Sequence, residues 1–155
     1  MLWVVSARPI TPAIVVGGVA AAATTGALVA VGHRLGSIAL PFTSIGAVLL
    51  HESASAPATY MVVTGLVLHA AAIFLWSLIC LQLARGFARR DIAAGLVAAC
   101  QFTLSWIIAS SSGSGLASVL ALGDRIVYAV VLAGALVVGM RFAFSQRVTH
   151  DRSVV

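Results

Sequence analysis

The sequence predicts an all-α integral membrane protein: a bundle of four transmembrane helices, plus one apolar stretch, residues 36–57, that re-enters the membrane or lies on its outer surface. Three observations predict this. The chain is 61 % hydrophobic and 8 % charged, with a mean hydropathy of +1.12, whereas soluble domains are about 45–50 % apolar and about 25 % charged. So few charges would not cover a water-facing surface, so lipid is the expected solvent. Four apolar runs are also long enough to cross a ~30 Å hydrocarbon core at ~1.5 Å per residue. Finally, the basic residues gather at the ends of these runs.

The first span is expected at about 12–32. Thr11 precedes Pro12, and proline suits the first helical turn because its missing N–H would be unpaired there anyway. The run is longer than the ~7–15-residue core of a secretory signal peptide, so it is read as a retained span. Residues 36–57 are apolar but interrupted by Pro41, and the run behind it is too short to span. Irregular backbone at membrane depth requires protein or water around it, so this segment should pack on the mouth of the bundle. A fifth span here would move the C-terminus to the other side and spoil the charge bias.

The second span, about 58–83, opens with Pro57. The third, about 92–110, and the fourth, about 126–144, have Asp91 and Asp124 where N-caps belong. There a carboxylate accepts from free backbone N–H groups and meets the positive helix end. Ser110–Gly115 reads as an uncharged turn-rich loop and His150–Val155 as a frayed tail. Fixed-period repeats and linkers are missing, so residues 1–155 form one transmembrane domain.

Orientation follows from the arginines. All nine basic residues are Arg, which, with the Ala, Gly and Val content, suggests a GC-rich bacterial genome. Arg8, Arg85, Arg89, Arg90, Arg141, Arg147 and Arg152 fall on one side and only Arg34 and Arg125 on the other. Seven against two places both termini in the cytoplasm of a bacterial inner membrane. Basic charge dispersed at helix ends is not the clustered patch that grips nucleic acid. Trp3, Tyr60, Trp106 and Tyr128 fall near the interfaces that amphipathic aromatics favour.

Helices associate in lipid by close packing and hydrogen bonding, so small residues four apart mark contact faces. Gly18, Ala22 and Gly26 do so on the first span, and Ala135 and Gly139 on the last. On the third span, Ala94 and Ala98 continue into Gln101 and Ser105. These faces are expected to pack within the chain or along a homo-oligomer seam. His69 lies near the middle of the second span and Gln101 at a similar depth on the third. Thr24 and Thr25 match them on the first, so the four should form an intramembrane polar layer. An intramembrane histidine is either a structural hydrogen-bonding group or a proton, quinone or haem contact. A second histidine at its depth, which a bis-His haem requires, is missing.

On the outer side, His33, Arg34, His51, Glu52, Asp124 and Arg125 form a polar cluster whose two acids and two arginines suit ion pairs between the outer loop and the last helix. The spacing of His51, Glu52 and His33 matches no metal motif, so no metal is assigned. Cys80 and Cys100 lie inside apolar runs without a CxxC spacing and read as small buried hydrophobes. Nucleophile motifs, phosphate loops and deep carboxylates are missing, which weighs against an enzyme and a proton-coupled antiporter. The residues name no cofactor.

These absences, with the small-residue faces and thin loops, favour a non-catalytic accessory or anchoring subunit of a larger membrane complex, whose partners are the bilayer and other membrane subunits or copies of itself. The alternative is a redox-cofactor, quinone or small-molecule binding bundle centred on His69. A small transporter or channel ranks third. The topology has a direct check: a cysteine at Ser112 should label from outside the cell and one at Ser145 should be protected. The reverse pattern would invert the orientation.

Overall fold

The computed structural model describes residues 10–50, 59–87, 89–111 and 119–152, and it is helical nearly throughout these segments. The helices are α1 (Ile10–Arg34), α2 (Leu40–Leu50), α3 (Thr59–Leu83), α4 (Arg90–Ser111) and α5 (Leu122–Arg152). All but α2 are long and apolar enough to cross a membrane, and the chain is built as a multi-pass membrane protein. Pro57, His51 and Glu52 lie outside the described residues.

The helix ends differ in detail from the sequence expectation. Pro12 sits in the first turn of α1, which begins at Ile10. Asp91 and Asp124 fall inside the first turns of α4 and α5 rather than at their caps. Each has taken a side-chain partner: Arg89 lies 2.6 Å from Asp91 and Arg34 2.5 Å from Asp124. The bond to Asp91 raises the Arg89 guanidinium above its ordinary pKa, but both groups are open to solvent and add little stability. α1 ends where Gly36 adopts a left-handed backbone, φ 81°. The Ser37 N–H then bonds back to the Gly32 carbonyl at 2.9 Å, in the manner of glycine-terminated helices.

Pro41 does not break α2; it occupies its second position, where a proline is tolerated. α2 is 11 residues long, about 16 Å at the helical rise, and so does not span. The carbonyl of Phe42 touches the position of Gly65, and that of Met61 touches Gly46. Rising numbers on α2 therefore meet falling numbers on α3, and the two helices run antiparallel. A Cβ on either glycine would collide with that backbone carbonyl, so the pair sets the closest helix approach in the molecule.

The four long helices form a ring in the order α1, α3, α4, α5. The most extensive interface joins α1 to α5, and the least extensive side of the ring joins α3 to α4. One core cluster gathers Val16 and Ala20 of α1, Ile73, Cys80 and Ala84 of α3, Ala93, Ala94 and Val97 of α4, and Leu132, Leu136 and Met140 of α5. Most of these lie toward the end of the bundle that carries the α3–α4 loop. Small side chains close that half. At the loop, the Arg90 guanidinium lies 3.8 Å over the Phe144 ring.

Two expectations change: the small-residue face of α1 does not pack within the chain, which leaves the homo-oligomer seam, and one cysteine is not buried. Gly18, Ala22 and Gly26 lie on the exposed face of α1, and a Cβ on Gly18 or Gly26 would meet nothing within 4 Å. The buried face is out of phase with them, Val16, Ala20, Thr24 and Leu28, and the packed glycine is Gly17, against Phe74. Gly139 and Ala135, by contrast, are buried within the chain, with Gly139 against the Val16 backbone. The second correction concerns the cysteines. Cys80 is buried, its sulfur 4.0 Å from that of Met140, but Cys100 is exposed on the outward face of α4.

Gly65→Ala and Gly139→Leu should each destabilise the monomer by about 1–3 kcal/mol or more, the usual cost of overpacking, read as midpoint loss in detergent unfolding. Gly18→Leu should leave the midpoint unchanged. A midpoint loss for Gly18→Leu comparable to the other two would contradict the observed phase of α1.

Candidate functional site

His69 is buried on α3 among three other helices. Its Nε2 lies 3.2 Å from Thr24 Oγ1 on α1, and its Nδ1 lies 3.3 Å from Tyr128 Oη on α5. The Phe42 ring of α2 meets it edge-on at 6.2 Å between centroids. The Thr24 back-bond favours one proton order. Thr24 donates its hydroxyl proton to the Ala20 carbonyl at 2.7 Å, the usual back-bond of a helical threonine. With that proton committed, Thr24 Oγ1 accepts from His69 Nε2–H. A neutral imidazole carries one N–H, so Nδ1 accepts from the Tyr128 hydroxyl. Both ring nitrogens are satisfied by protein, as burial away from water requires.

The expected polar layer is thus partly reorganised. Thr24 joins His69. Thr25 is half-buried and turns about 100° from Thr24 around the helix; no hydrogen bond joins it to the imidazole. Gln101 is not the partner of His69 either. Its Oε1 is buried and has no hydrogen-bond partner among the described residues. Tyr128, expected at an interface, takes that role instead. It lies one helical turn after Asp124, on the same face, and this spacing was the available signal for it.

Gln101 and His69 face a common cavity of about 330 Å³. Residues of all five helices contribute to its wall, mostly with apolar side chains. It occupies the splay between α3 and α4, whose seam is thin away from their connecting loop. Trp76, two turns beyond His69 on α3, is the lining residue of that helix nearest the packed half. It is seven residues from His69, hence on the same helical face, a relation the sequence contained and the polar-layer reading overlooked. Ser105 and Gln101 line the wall on α4, continuing the buried Ala94–Ala98 face as expected.

Asp124 and Arg125 of the outer cluster line the cavity. Arg34 Nη2 donates to Asp124 Oδ1 at 2.5 Å and so ties the end of α1 to the start of α5. Asp124 is 8 % exposed and Arg34 62 %. Asp124 Oδ2 is buried without a partner among the described residues. Arg125 Nε donates to the Leu120 carbonyl at 2.8 Å, and its guanidinium lies 5.3 Å above the Trp106 ring. His33 is exposed at the end of α1, and its ring joins no hydrogen bond among the described residues. Among these residues no three His, Cys, Asp or Glu side chains come together as a metal site.

No family model, curated protein or solved structure matches the chain. A wall of hydrocarbon with a few convergent polar groups is the usual build of a small-molecule site. The arrangement offers positions for hydrogen bonds and a mostly apolar volume. Among the described residues, no nucleophile stands beside a base around it: Ser105 donates its proton to the Phe102 carbonyl at 2.8 Å, and His69 is occupied at both nitrogens.

The network predicts its own coupling pattern. In double-mutant cycles read by unfolding in mixed detergent, His69→Leu and Tyr128→Phe should couple by about 0.6 kcal/mol, the average for bonds between membrane helices. His69→Leu and Gln101→Leu should be additive. Strong coupling of the second pair alone would reverse the assignment of partners.

Proposed function

We propose that this chain is a non-catalytic membrane bundle that holds a lipid-soluble small molecule in the cavity beside His69. We place it in a bacterial inner membrane with both termini in the cytoplasm, so that the cavity lies in the outer half of the bilayer. The supporting observation is the division of the bundle: one half is closed by Ala, Val and Cys side chains, while the other encloses about 330 Å³ next to two unpaired buried oxygens. Packing alone does not favour such a division, since voids forfeit dispersion contacts and unpaired buried oxygens cost about 1–3 kcal/mol each. An occupant that fills the volume and pairs the oxygens offsets both. The closed half also argues against a continuous pore in this conformation.

A second reading, an accessory subunit of a larger membrane complex, draws support from the exposed face Gly18, Ala22 and Gly26. Small residues on a lipid-facing surface allow another helix to approach closely. The two readings are compatible, because a ligand-holding bundle can serve inside a complex. Co-purification of a partner at fixed stoichiometry, lost when a bulky side chain is placed on that face by Ala22→Leu, would support the second.

Extraction of the purified, delipidated protein followed by mass spectrometry tests the first. It should release one lipid-soluble compound in roughly molar amount. Ala72→Phe, which projects a ring into the cavity, should reduce that amount at least tenfold, while Leu66→Phe on the exposed face of α3 should not. Release of bulk phospholipid only, unchanged by Ala72→Phe, would contradict the proposal.

A further inference from the structure

The geometry points to a ligand class for this cavity: a neutral, lipid-soluble molecule that carries a hydroxyl donor, such as a phenol or hydroquinone, in preference to a ketone, ether or quinone of the same shape. The inference rests on the binding role proposed above and adds the chemistry of the occupant.

It follows from tracing each proton. The Thr24 back-bond to Ala20 favours the tautomer with the imidazole proton on Nε2, in which the Tyr128 hydroxyl donates to His69 Nδ1. Tyr128 Oη therefore has only lone pairs left. Ser105 has donated to the Phe102 carbonyl and is in the same position. Gln101 Oε1 and Asp124 Oδ2 are acceptors by nature, and both are buried and unpaired. All four side chains line the one cavity. The two buried side-chain oxygens that have no partner among the described residues thus both belong to this wall.

Lone pairs facing hydrocarbon are satisfied by a donor. A quinone or ether brings more lone pairs and leaves the acceptors unpaired, whereas a hydroxyl pairs one of them. Charge excludes an ammonium donor as the preferred form. The Asp124 carboxylate is already neutralised by Arg34 at 2.5 Å, and Arg125 stands beside it with its guanidinium held over Trp106. A cation entering there would meet two arginines for one acid. Trp76 offers flat aromatic surface on the cavity wall, which suits a ring-shaped ligand.

The test uses a matched pair of probes, 4-hexylphenol and 4-hexylanisole, which differ only by methylation of the hydroxyl. Binding to the full chain in detergent is followed by tryptophan emission and corrected for partition of each probe into protein-free micelles. The phenol should bind at least tenfold more tightly. That preference should shrink severalfold in Gln101→Leu and in Ser105→Ala, each of which removes an acceptor. Equal affinities, both lost in Ala72→Phe, would overturn the donor inference and leave the binding role standing. Tighter binding of the anisole would overturn it as well. Failure of both probes to bind would overturn the binding role and this inference with it.

Discussion

In a bilayer the hydrophobic effect does not draw one apolar helix to another, so the bundle depends on how closely its backbones approach. Two places set that approach. On α5, Gly139 lies against the Val16 backbone of α1; on α2 and α3, Gly46 and Gly65 each face the other helix's carbonyls. The first contact fixes the most extensive interface of the ring, and the second pins the short helix to its neighbour. Once these are made, the remaining geometry has little freedom. α3 and α4 meet at their connecting loop through Cys80, Ala84, Ala93 and Ala94, where small side chains let them close. Further along, Leu68, Trp76, Gln101 and Leu104 stand around the gap between them.

The cavity is a consequence of that splay, and His69 is what makes it tolerable. An imidazole near the middle of a span could be a liability, but here it bonds α1 to α5 through α3 without drawing on water. It uses one hydroxyl from each side. The tautomer with its proton on Nε2 leaves the tyrosine oxygen as an acceptor on the cavity wall, beside the serine oxygen, whose proton goes to Phe102, and the unpaired amide oxygen of Gln101. A structural network and a selective surface are thus two sides of one set of hydrogen bonds.

Much of this was legible in the sequence, and the failures have physical causes. Span number and approximate limits follow from length and hydropathy, and the lack of a fifth spanning helix in residues 36–57 from the brief run after Pro41, although Pro41 opens α2 rather than breaking it. His69, Thr24 and Gln101 were visible as polar residues at a common depth. Their pairing was not, because depth says nothing about rotation about the helix axis. A one-residue change of phase separates the packed Gly17 from the exposed Gly18, and an almost uniformly apolar helix carries no hydrophobic stripe to fix that phase. Tyr128 was misread for a related reason: an amphipathic aromatic near a helix start suits the interface in general, and only the partner on α3 draws it inward. Gly46 and Gly65 escaped notice because each helix offers a single glycine there, and the motif exists only once the two are brought together.

The extensive contact between α1 and α5 joins the first and last helices in the chain. Val16 and Gly139 are separated by most of the sequence, and the Arg34–Asp124 pair spans 90 residues. During synthesis the first helix therefore enters the bilayer long before the surface it fits exists. Until the last helix arrives, Val16, Ala20 and Thr24 face lipid or a temporary companion, and the proton chain through His69 lacks its tyrosine. Assembly of this bundle is thus a closing of the ring by its final member, and a ribosome that stops before α5 leaves an open crescent in the membrane.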